Sequence, residues 1–439
     1  MNLKNLQNKK IAILGLGSEN CALLDFLLKQ NINADITVCD ARTQKHLCDY
    51  DCNIKKTNCS KLKWQTGSGY DKNLDQYDVI FRIAGYPLFN KNIIKAMMAG
   101  VKISSPTKLF FDLCPTKNII GVTGTKGKGT TSSLIYKILK DAGKRVHFGG
   151  NIGIPMFSFF NKIKPNDWVV LELSSFQLED LHQSPYISVF TNFFEDHLSA
   201  ADPNNPNYHK TMATYWHAKE NIFSHQNKND ILIAHENLKS KIEHHRPKSK
   251  IIYFNKSNLK TPLIGEHNKR NIAAAELVAQ KIGISKETTK KSVIKFKGLE
   301  HRIEFVKMIK NVRYYNDSFS TAPDTAVIAL KTFDNGAIIL IAGGSDKGSD
   351  FTHLAKEIKK RVKTLILFPG KGSIKIKQAL KKIKYNNIQE VKNMSQAVEE
   401  AKKNTEPGDV ILLSPACASF GIFKNYKERG VLFKKEVIN

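Results

Sequence analysis

Short apolar runs that end in glycine, a hydroxyl or a charge recur along the chain, and stretches long enough to form helices separate them. Ile11-Ala12-Ile13-Leu14 leads into Gly15-Leu16-Gly17, a helical pattern covers about Cys21 to Gln30, and Ile36-Thr37-Val38-Cys39 closes on Asp40. A buried strand, a glycine turn, a helix and a second strand ending in an acid predict a Rossmann-like βαβ opening. Asn20 stands at the third glycine position of that fingerprint, so the turn alone is a weak sign of a nucleotide. Asp78 to Ile83 gives another strand and Lys91 to Met98 a helix, and a first domain is expected over residues 1–112.

The apolar pair Ile119-Ile120 runs into Gly121-Val122-Thr123-Gly124-Thr125-Lys126-Gly127-Lys128-Gly129-Thr130-Thr131 and then a helix. Glycines in such a turn let backbone N–H groups close on phosphate oxygens, the helix N-terminus adds positive potential, and Lys128 reaches the terminal phosphates. Thr130 or Thr131 offers a hydroxyl to Mg2+. The spacing departs from the general phosphate-loop pattern, because Gly129 follows the lysine where a hydroxyl residue is usual. Trp168 to Leu171 delivers Glu172 to a strand end, and Ile187 to Phe190 leads into Glu195-Asp196-His197. In an open parallel sheet the carboxyl ends form the ligand crevice, so Glu172 and His197 emerge beside the phosphate loop, close enough to share a metal. Each residue alone reads as an ordinary cap or loop side chain; three such strand ends together predict a Mg-nucleotide site. Asn268 and Asn271, on one face of an Ala-rich helix, either cap it or read a base edge.

This second domain is expected over 113–298 and a third over 299–439, where strand patterns at Val312–Ser318, Ala337–Gly348, Thr364–Gly370 and Asp409–Pro415 alternate with helix-length segments. The expected class is α/β with three domains meeting at one cleft: a Rossmann-like N-terminal domain, a central phosphate-loop mononucleotide-binding ATPase domain and a C-terminal Rossmann-like α/β domain.

Composition changes this picture little. The formal charge of +28 over 439 residues points toward anionic partners, but the excess is mostly lysine scattered over surface-like positions such as Lys359-Lys360 and Lys381-Lys382. That is a solvated surface, and neither a nucleic-acid nor a membrane partner is expected. The seven cysteines form no paired C-x-x-C set and are expected to be reduced thiols. With no signal-peptide pattern and no apolar run of spanning length, a cytoplasmic monomer is expected.

In these residues the chain resembles the Mur ligase family along nearly its whole length. The resemblance is carried by Thr123 to Lys128, Gly150-Asn151-Ile152-Gly153, Glu172 to Glu179, Glu195-Asp196-His197-Leu198, Ala218-Lys219, His267-Asn268 with Asn271, His301-Arg302, Asn316-Asp317-Ser318, Gly343 to Phe351 and Ser414 to Phe420. It implies ATP-driven activation of a substrate carboxylate as an acyl phosphate, then attack by an amino acid's amine to form an amide. The implied substrates are UDP-N-acetylmuramoyl-L-alanine and D-glutamate, in peptidoglycan-precursor synthesis. By the same resemblance Lys128, Glu172, His197 and a carbamylated Lys219 carry the catalysis, with Thr130, Glu172, His197 and Lys219 on Mg2+. The ATP contacts fall to Gly124, Thr125, Lys126, Gly127, Lys128, Gly129, Thr130, Thr131, Asn268, Asn271, Arg302 and Asp317. Gly15, Leu16, Ser18 and Arg42 take the UDP part, Asn151, Ser174 and His197 lie near the sugar-peptide, and Thr321, Lys347, Ser419, Phe420 and Tyr426 line the amino-acid pocket.

The chain departs from the family pattern at Gly129, at Ile83-Ala84-Gly85, at Ser18-Glu19-Asn20 and at Phe319. Gly129 keeps open a folylpolyglutamate synthase-like ligase, and a variant that adds L-glutamate is a further alternative. A dinucleotide-dependent dehydrogenase using the Gly15 turn with Asp40 on a ribose leaves residues 121–197 unexplained.

Overall fold

Short apolar strands build three sheets, and in the first two the strand that leads into a glycine-rich turn lies at or near the centre. The computed structural model describes residues 1–30, 32–48, 62–199, 207–334, 336–346 and 348–439. The first sheet comprises β1 (Lys10–Leu14), β2 (Asp35–Asp40), β3 (Lys63–Thr66), β4 (Val79–Arg82) and β5 (Lys102–Ser104), ordered β3-β2-β1-β4-β5 and parallel throughout. β1 has β2 on one side and β4 on the other, so strand order reverses there and the Gly15 turn opens at a topological switch point. The helix after that turn runs Ser18–Lys29, three residues earlier than its apolar pattern suggests, because extended Gly17 caps it. β3 and β5 have no clear sequence signal; each is short and mixes polar with apolar positions.

The second sheet comprises β6 (Ile119–Thr123), β7 (Val146–Gly150), β8 (Trp168–Glu172), β9 (Ile187–Phe190), β10 (Ile231–His235) and β11 (Lys250–Phe254). Its order is β11-β10-β9-β6-β8-β7, again all parallel. β6 is buried along its full length between β9 and β8, which places the phosphate-loop pattern at the middle of the sheet's C-terminal edge. A short helix, Lys239–His244, separates β10 from β11, where the sequence pattern suggests only strands and turns.

Residues 1–260 and 266–293 form one compact unit. A single apolar cluster runs through it, from Leu23 and Phe26 through Phe110 and Phe157 to Leu171, Phe190 and Leu232, so the first two sheets share a core. A buried cation also joins them. Arg82, at the end of β4 and 0% exposed, lies 3.0 Å from Glu179 and 3.6 Å from Asp180 and donates to the Tyr86 carbonyl at 2.6 Å. Burial lifts the Glu179 carboxyl to about 7.

Residues 261–265 and 294–439 form the second unit. Its sheet has the order β12-β13-β17-β14-β15-β16, from β12 (Glu304–Ile309), β13 (Val312–Asn316), β14 (Ile338–Ala342), β15 (Val362–Leu367), β16 (Ile388–Glu390) and β17 (Val410–Leu413). β12 pairs antiparallel with β13 and the other pairings are parallel. The β12 residues read in sequence as a lead-in to β13; their alternating exposed and half-buried positions are those of a sheet edge.

One cysteine expectation needs correction. Cys21 is disulfide-bonded, whereas Cys39, Cys48, Cys114 and Cys417 are not; Cys52 and Cys59 lie outside the described residues. Among the described residues no helix is long and apolar enough to cross a membrane.

Candidate active site

The loop after β6 turns sharply enough to need glycine at two positions. Gly124 has φ +140° and Gly127 φ +83°. A Cβ on Gly124 would lie 2.0 Å from Thr191 Oγ1, and one on Gly127 2.3 Å from Asn271 Oδ1. The loop is also clamped from the β9 side: Asn192 Oδ1 accepts from the Lys126 N–H at 2.8 Å, and Thr191 Oγ1 donates to the Lys126 carbonyl at 2.7 Å. The helix Lys128–Asp141 starts directly from Gly127, so the first-turn N–H groups face the loop. Lys128 Nζ rests on the carbonyls of Gly124 and Thr125 at 3.0 and 3.1 Å. Thr130 is half-buried in the helix's first turn. Thr131 is fully buried, and its hydroxyl has no hydrogen-bond partner among the described residues.

The strand ends beside the loop carry the expected groups. Glu172 ends β8, buried at 3% exposure; its Oε1 accepts from Asn151 Nδ2 at 2.8 Å, while Oε2 has no hydrogen-bond partner among the described residues. Ser174 caps the short helix Ser175–Leu178 in a reciprocal box with Gln177, whose side-chain amide also donates to Glu19 at the start of the Ser18–Lys29 helix. His197 follows β9 with a left-handed backbone, φ +59°. Its side chain is 43% exposed; partial desolvation, and then the cations Lys219, Lys128 and Lys126, lower its pKa against the opposing pull of Asp196. Its imidazole is therefore neutral and able to bind a metal.

Lys219 lies in the helix Met212–Ser224 at 1% exposure. Nζ donates to the Gly124 carbonyl at 2.8 Å and to Thr123 Oγ1 at 3.5 Å, and sits 4.9 Å from the centre of the Tyr215 ring. Burial drives its pKa well below the usual lysine range, and Lys128 pushes the same way. Asn271 is buried against the loop, with its Nδ2 donating to Asn268 Oδ1 at 3.1 Å.

Two members of this cluster are not among the residues that sequence reasoning singles out. Tyr215, four residues before Lys219, pairs its hydroxyl with Thr125 Oγ1 at 3.2 Å; that helical spacing is the signal for it. His209 is buried, with Nε2 2.9 Å from Ser175 Oγ and a pKa pulled down to about 4 by burial and by His197 and Lys219. No periodicity points to it.

At the first sheet's switch point, Gly15 (φ +79°) and Gly17 lie under the Ile83 side chain, which a Cβ on either would strike within 2.5 Å. Asn20, at the third glycine position, donates to the carbonyls of Leu14, Gly15 and Phe81 and so fastens the turn. Asp40 accepts from the Leu16 N–H at 2.7 Å and from Arg42 at 2.8 Å. The carboxylate that a dehydrogenase would use on a ribose is thus committed to the turn itself. Ser18 is exposed at the helix start.

In the second unit the β13 and β17 ends gather several expected residues. Asp317 accepts from Ser414 Oγ at 2.7 Å and from the Ile303 N–H at 3.1 Å, and burial raises its pKa to about 7. The Arg302 guanidinium lies 3.8 Å over the Phe319 ring, which meets Tyr426 edge-on at 5.0 Å. Arg429, fully buried, bonds Ser318 through Nε and one terminal nitrogen and the Cys417 carbonyl through the other, joining the two strand ends. Ser419 is buried, Phe420 is 61% exposed with its carbonyl accepting from Ser345 Oγ, and Thr321 is half-buried ahead of the helix Pro323–Leu330. Lys347 lies outside the described residues.

Two family descriptions match the chain: Mur ligase middle domain over residues 122–258, and Mur ligase, glutamate ligase domain over 301–417. A UDP-N-acetylmuramoylalanine–D-glutamate ligase of Clostridium tetani is 37% identical, the alignment covering 99% of this chain and 98% of the relative. The ligase of the same name from Clostridium acetobutylicum is 36% identical over 100% of this chain and 98% of its own. Among solved structures, the MurF ligase of Thermotoga maritima in complex with ADP shares the fold, with a TM-score of 0.58 at 16% identity, covering 100% of this chain and 97% of that one. On this full-length similarity, together with the strand-end arrangement above, the chain belongs to the Mur ligase family.

Proposed function

We propose that the protein joins D-glutamate to UDP-N-acetylmuramoyl-L-alanine at the expense of ATP, through an acyl phosphate, as a step in peptidoglycan-precursor synthesis. The observation that carries this reading is the convergence of Lys128, Glu172, His197 and the buried Lys219 amine around one phosphate loop, in a chain whose full length aligns with ligases bearing that name.

The residues present fit Mg2+. Glu172 Oε2 is a buried carboxylate oxygen without a hydrogen-bond partner among the described residues, and the His197 imidazole is neutral. No three His, Cys, Asp or Glu side chains among the described residues form a complete metal-binding group. Mg2+ is commonly held by one or two protein groups with phosphate oxygens and water filling the rest. Glu172 and His197 would hold it, with Thr130 or Thr131 supplying a hydroxyl in place of the one missing at Gly129. Bound Mg2+ supplies charge neutralisation at the phosphate oxygens. Lys128, released from the loop carbonyls, stabilises the charge that develops as the substrate carboxylate takes the γ-phosphoryl group, and the loop N–H groups orient it. The glutamate amine then displaces phosphate to form the amide. Asn268, Asn271, Arg302 and Asp317 are assigned to the nucleotide. Gly15, Leu16, Ser18 and Arg42 take the UDP part, and Asn151 and Ser174 the sugar-peptide. Thr321, Lys347, Ser419, Phe420 and Tyr426 are assigned to the amino acid. Lys219, as a neutral amine, adds CO2 with loss of a proton and becomes an anionic carbamate beside the cation. The protein is further proposed to act as a cytoplasmic monomer.

The first sheet, with its clamped glycine turn, argues against the folylpolyglutamate synthase-like alternative that Gly129 raises. The test is to incubate the protein with ATP and Mg2+ and with UDP-N-acetylmuramoyl-L-alanine plus D-glutamate, the same plus L-glutamate, or folate plus glutamate. Phosphate release and the expected product mass in the D-glutamate arm alone support the proposal. Turnover confined to another arm replaces it.

A further inference from the structure

His209 has no part in the chemistry above, yet it ties together the elements that carry the site's groups. Its Nε2 lies 2.9 Å from Ser175 Oγ, just past the β8 end that carries Glu172. Its backbone N–H donates to the His197 carbonyl at 2.8 Å, and so holds a residue whose left-handed backbone is unfavourable for a side chain with a Cβ. The ring stacks on Phe176, with centroids 4.7 Å apart and planes 10° apart, and leans on Tyr215 at 5.0 Å. Those two rings meet the His197 imidazole edge-on at 5.2 and 5.9 Å. Tyr215 in turn reaches Thr125 in the phosphate loop and lies under the Lys219 amine.

We infer that His209 is a positioning residue: it fastens the His197 loop to the Glu172 strand end through Ser175, fixing the separation at which the imidazole and the carboxylate meet a divalent cation. The inference rests on reading Glu172 and His197 as that cation's ligands. Two ligands on separate elements, a strand end and a loop, bind well only if their spacing is held, and loss of the groups that hold metal ligands typically weakens affinity about 10–100-fold. A ring buried for packing alone would tolerate phenylalanine, which keeps the stack on Phe176 and Tyr215. A ring that works through Ser175 would not.

The test uses Mn2+ as the probe, read by electron paramagnetic resonance in the presence of ADP, so no turnover is needed. His209→Phe and Ser175→Ala are each expected to weaken Mn2+ binding about 10-fold or more, with the double variant no worse than either alone. ADP affinity without metal and the thermal midpoint should stay near those of the parent. If either single variant binds Mn2+ within about twofold of the parent, the positioning role is overturned. If His209→Phe does not fold, Ser175→Ala decides, since it removes one hydroxyl. A parent protein that holds no Mn2+ with ADP overturns the reading of Glu172 and His197 instead.

Discussion

Replacing Gly124 by alanine tests whether the phosphate loop is built as its contacts indicate, and Gly143→Ala is its internal control. Both glycines have positive φ, +140° and +72°. Gly143 follows the Lys128–Asp141 helix, and a Cβ there would meet nothing within 4 Å, so alanine costs only the left-handed backbone, about 1 kcal/mol. At Gly124 the backbone lies in a region that side chains rarely adopt, at about 1–3 kcal/mol. The new Cβ also meets Thr191 Oγ1 at 2.0 Å. The single hydrogen of that hydroxyl goes to the Lys126 carbonyl at 2.7 Å, with the Thr123 carbonyl at 3.2 Å as its alternative acceptor, and displacing it forfeits one bond worth about 1 kcal/mol. The total is about 2–4 kcal/mol. The loop can escape part of it by shifting, but a shift carries its N–H groups away from the phosphates, so what the unfolding curve does not lose the ADP titration does. At ~2 °C per kcal/mol for a unit of this size, calorimetry should show Gly143→Ala melting ~2 °C below the parent. Gly124→Ala should melt far lower, or lose ADP affinity by an equivalent amount. If the two variants melt together and bind ADP equally, the loop is not held by these contacts.

Arg82→Met leaves Glu179 and Asp180 facing each other without their buried cation, and urea unfolding should show a loss of about 3–5 kcal/mol; adding Glu179→Gln should return part of it. Glu19 has its pKa raised by burial to about 7, above the ordinary 4.5, so its contribution is full below pH 4.5 and is lost as pH rises through about 7. Glu19→Gln should therefore be more stable than the parent at pH 8 and gain nothing at pH 4.5, as read from melting midpoints across that range. Lys219→Ala should cripple phosphate release with the UDP substrate and recover partly with added short carboxylic acids; no recovery would count against a carbamate at that position.

The strand ends are legible because a parallel sheet writes them plainly: an apolar run stops, and the next residues are glycine, hydroxyl or charge. Gly124, Glu172 and His197 stand out that way, and the structure sets them at the edge the pattern assigns. Side chains delivered from a helix flank are harder. Lys219 has an ordinary amphipathic neighbourhood in sequence, and only the family resemblance singles it out. His209 depends on stacking between residues 33 and 6 positions away, Phe176 and Tyr215, which no local period encodes. Arg82 reads only as a polar position inside the expected Asp78–Ile83 strand, and its burial follows from two acids supplied by the neighbouring sheet's segment. β12 escapes notice because its exposed positions break the apolar run.

Lys219 shows best why this site cannot be judged by residue type. A buried ammonium needs a carboxylate against it, yet Nζ bonds to a carbonyl and a hydroxyl, and Lys126 and Lys128 add like charge. Glu172 and Asp196 oppose them only partly. A neutral amine solves the problem: its two hydrogens go to the Gly124 carbonyl and Thr123 Oγ1, and its lone pair is left for an electrophile. On the proposed function, CO2 added there with loss of a proton would leave an anion facing Lys126, Lys128 and the divalent cation, where an ammonium would repel all three. The neighbouring cations that make the position hostile to a charged lysine would favour a carbamate there. Glu172 Oε2, buried without a hydrogen-bond partner among the described residues, would supply such a cation with a second anionic oxygen.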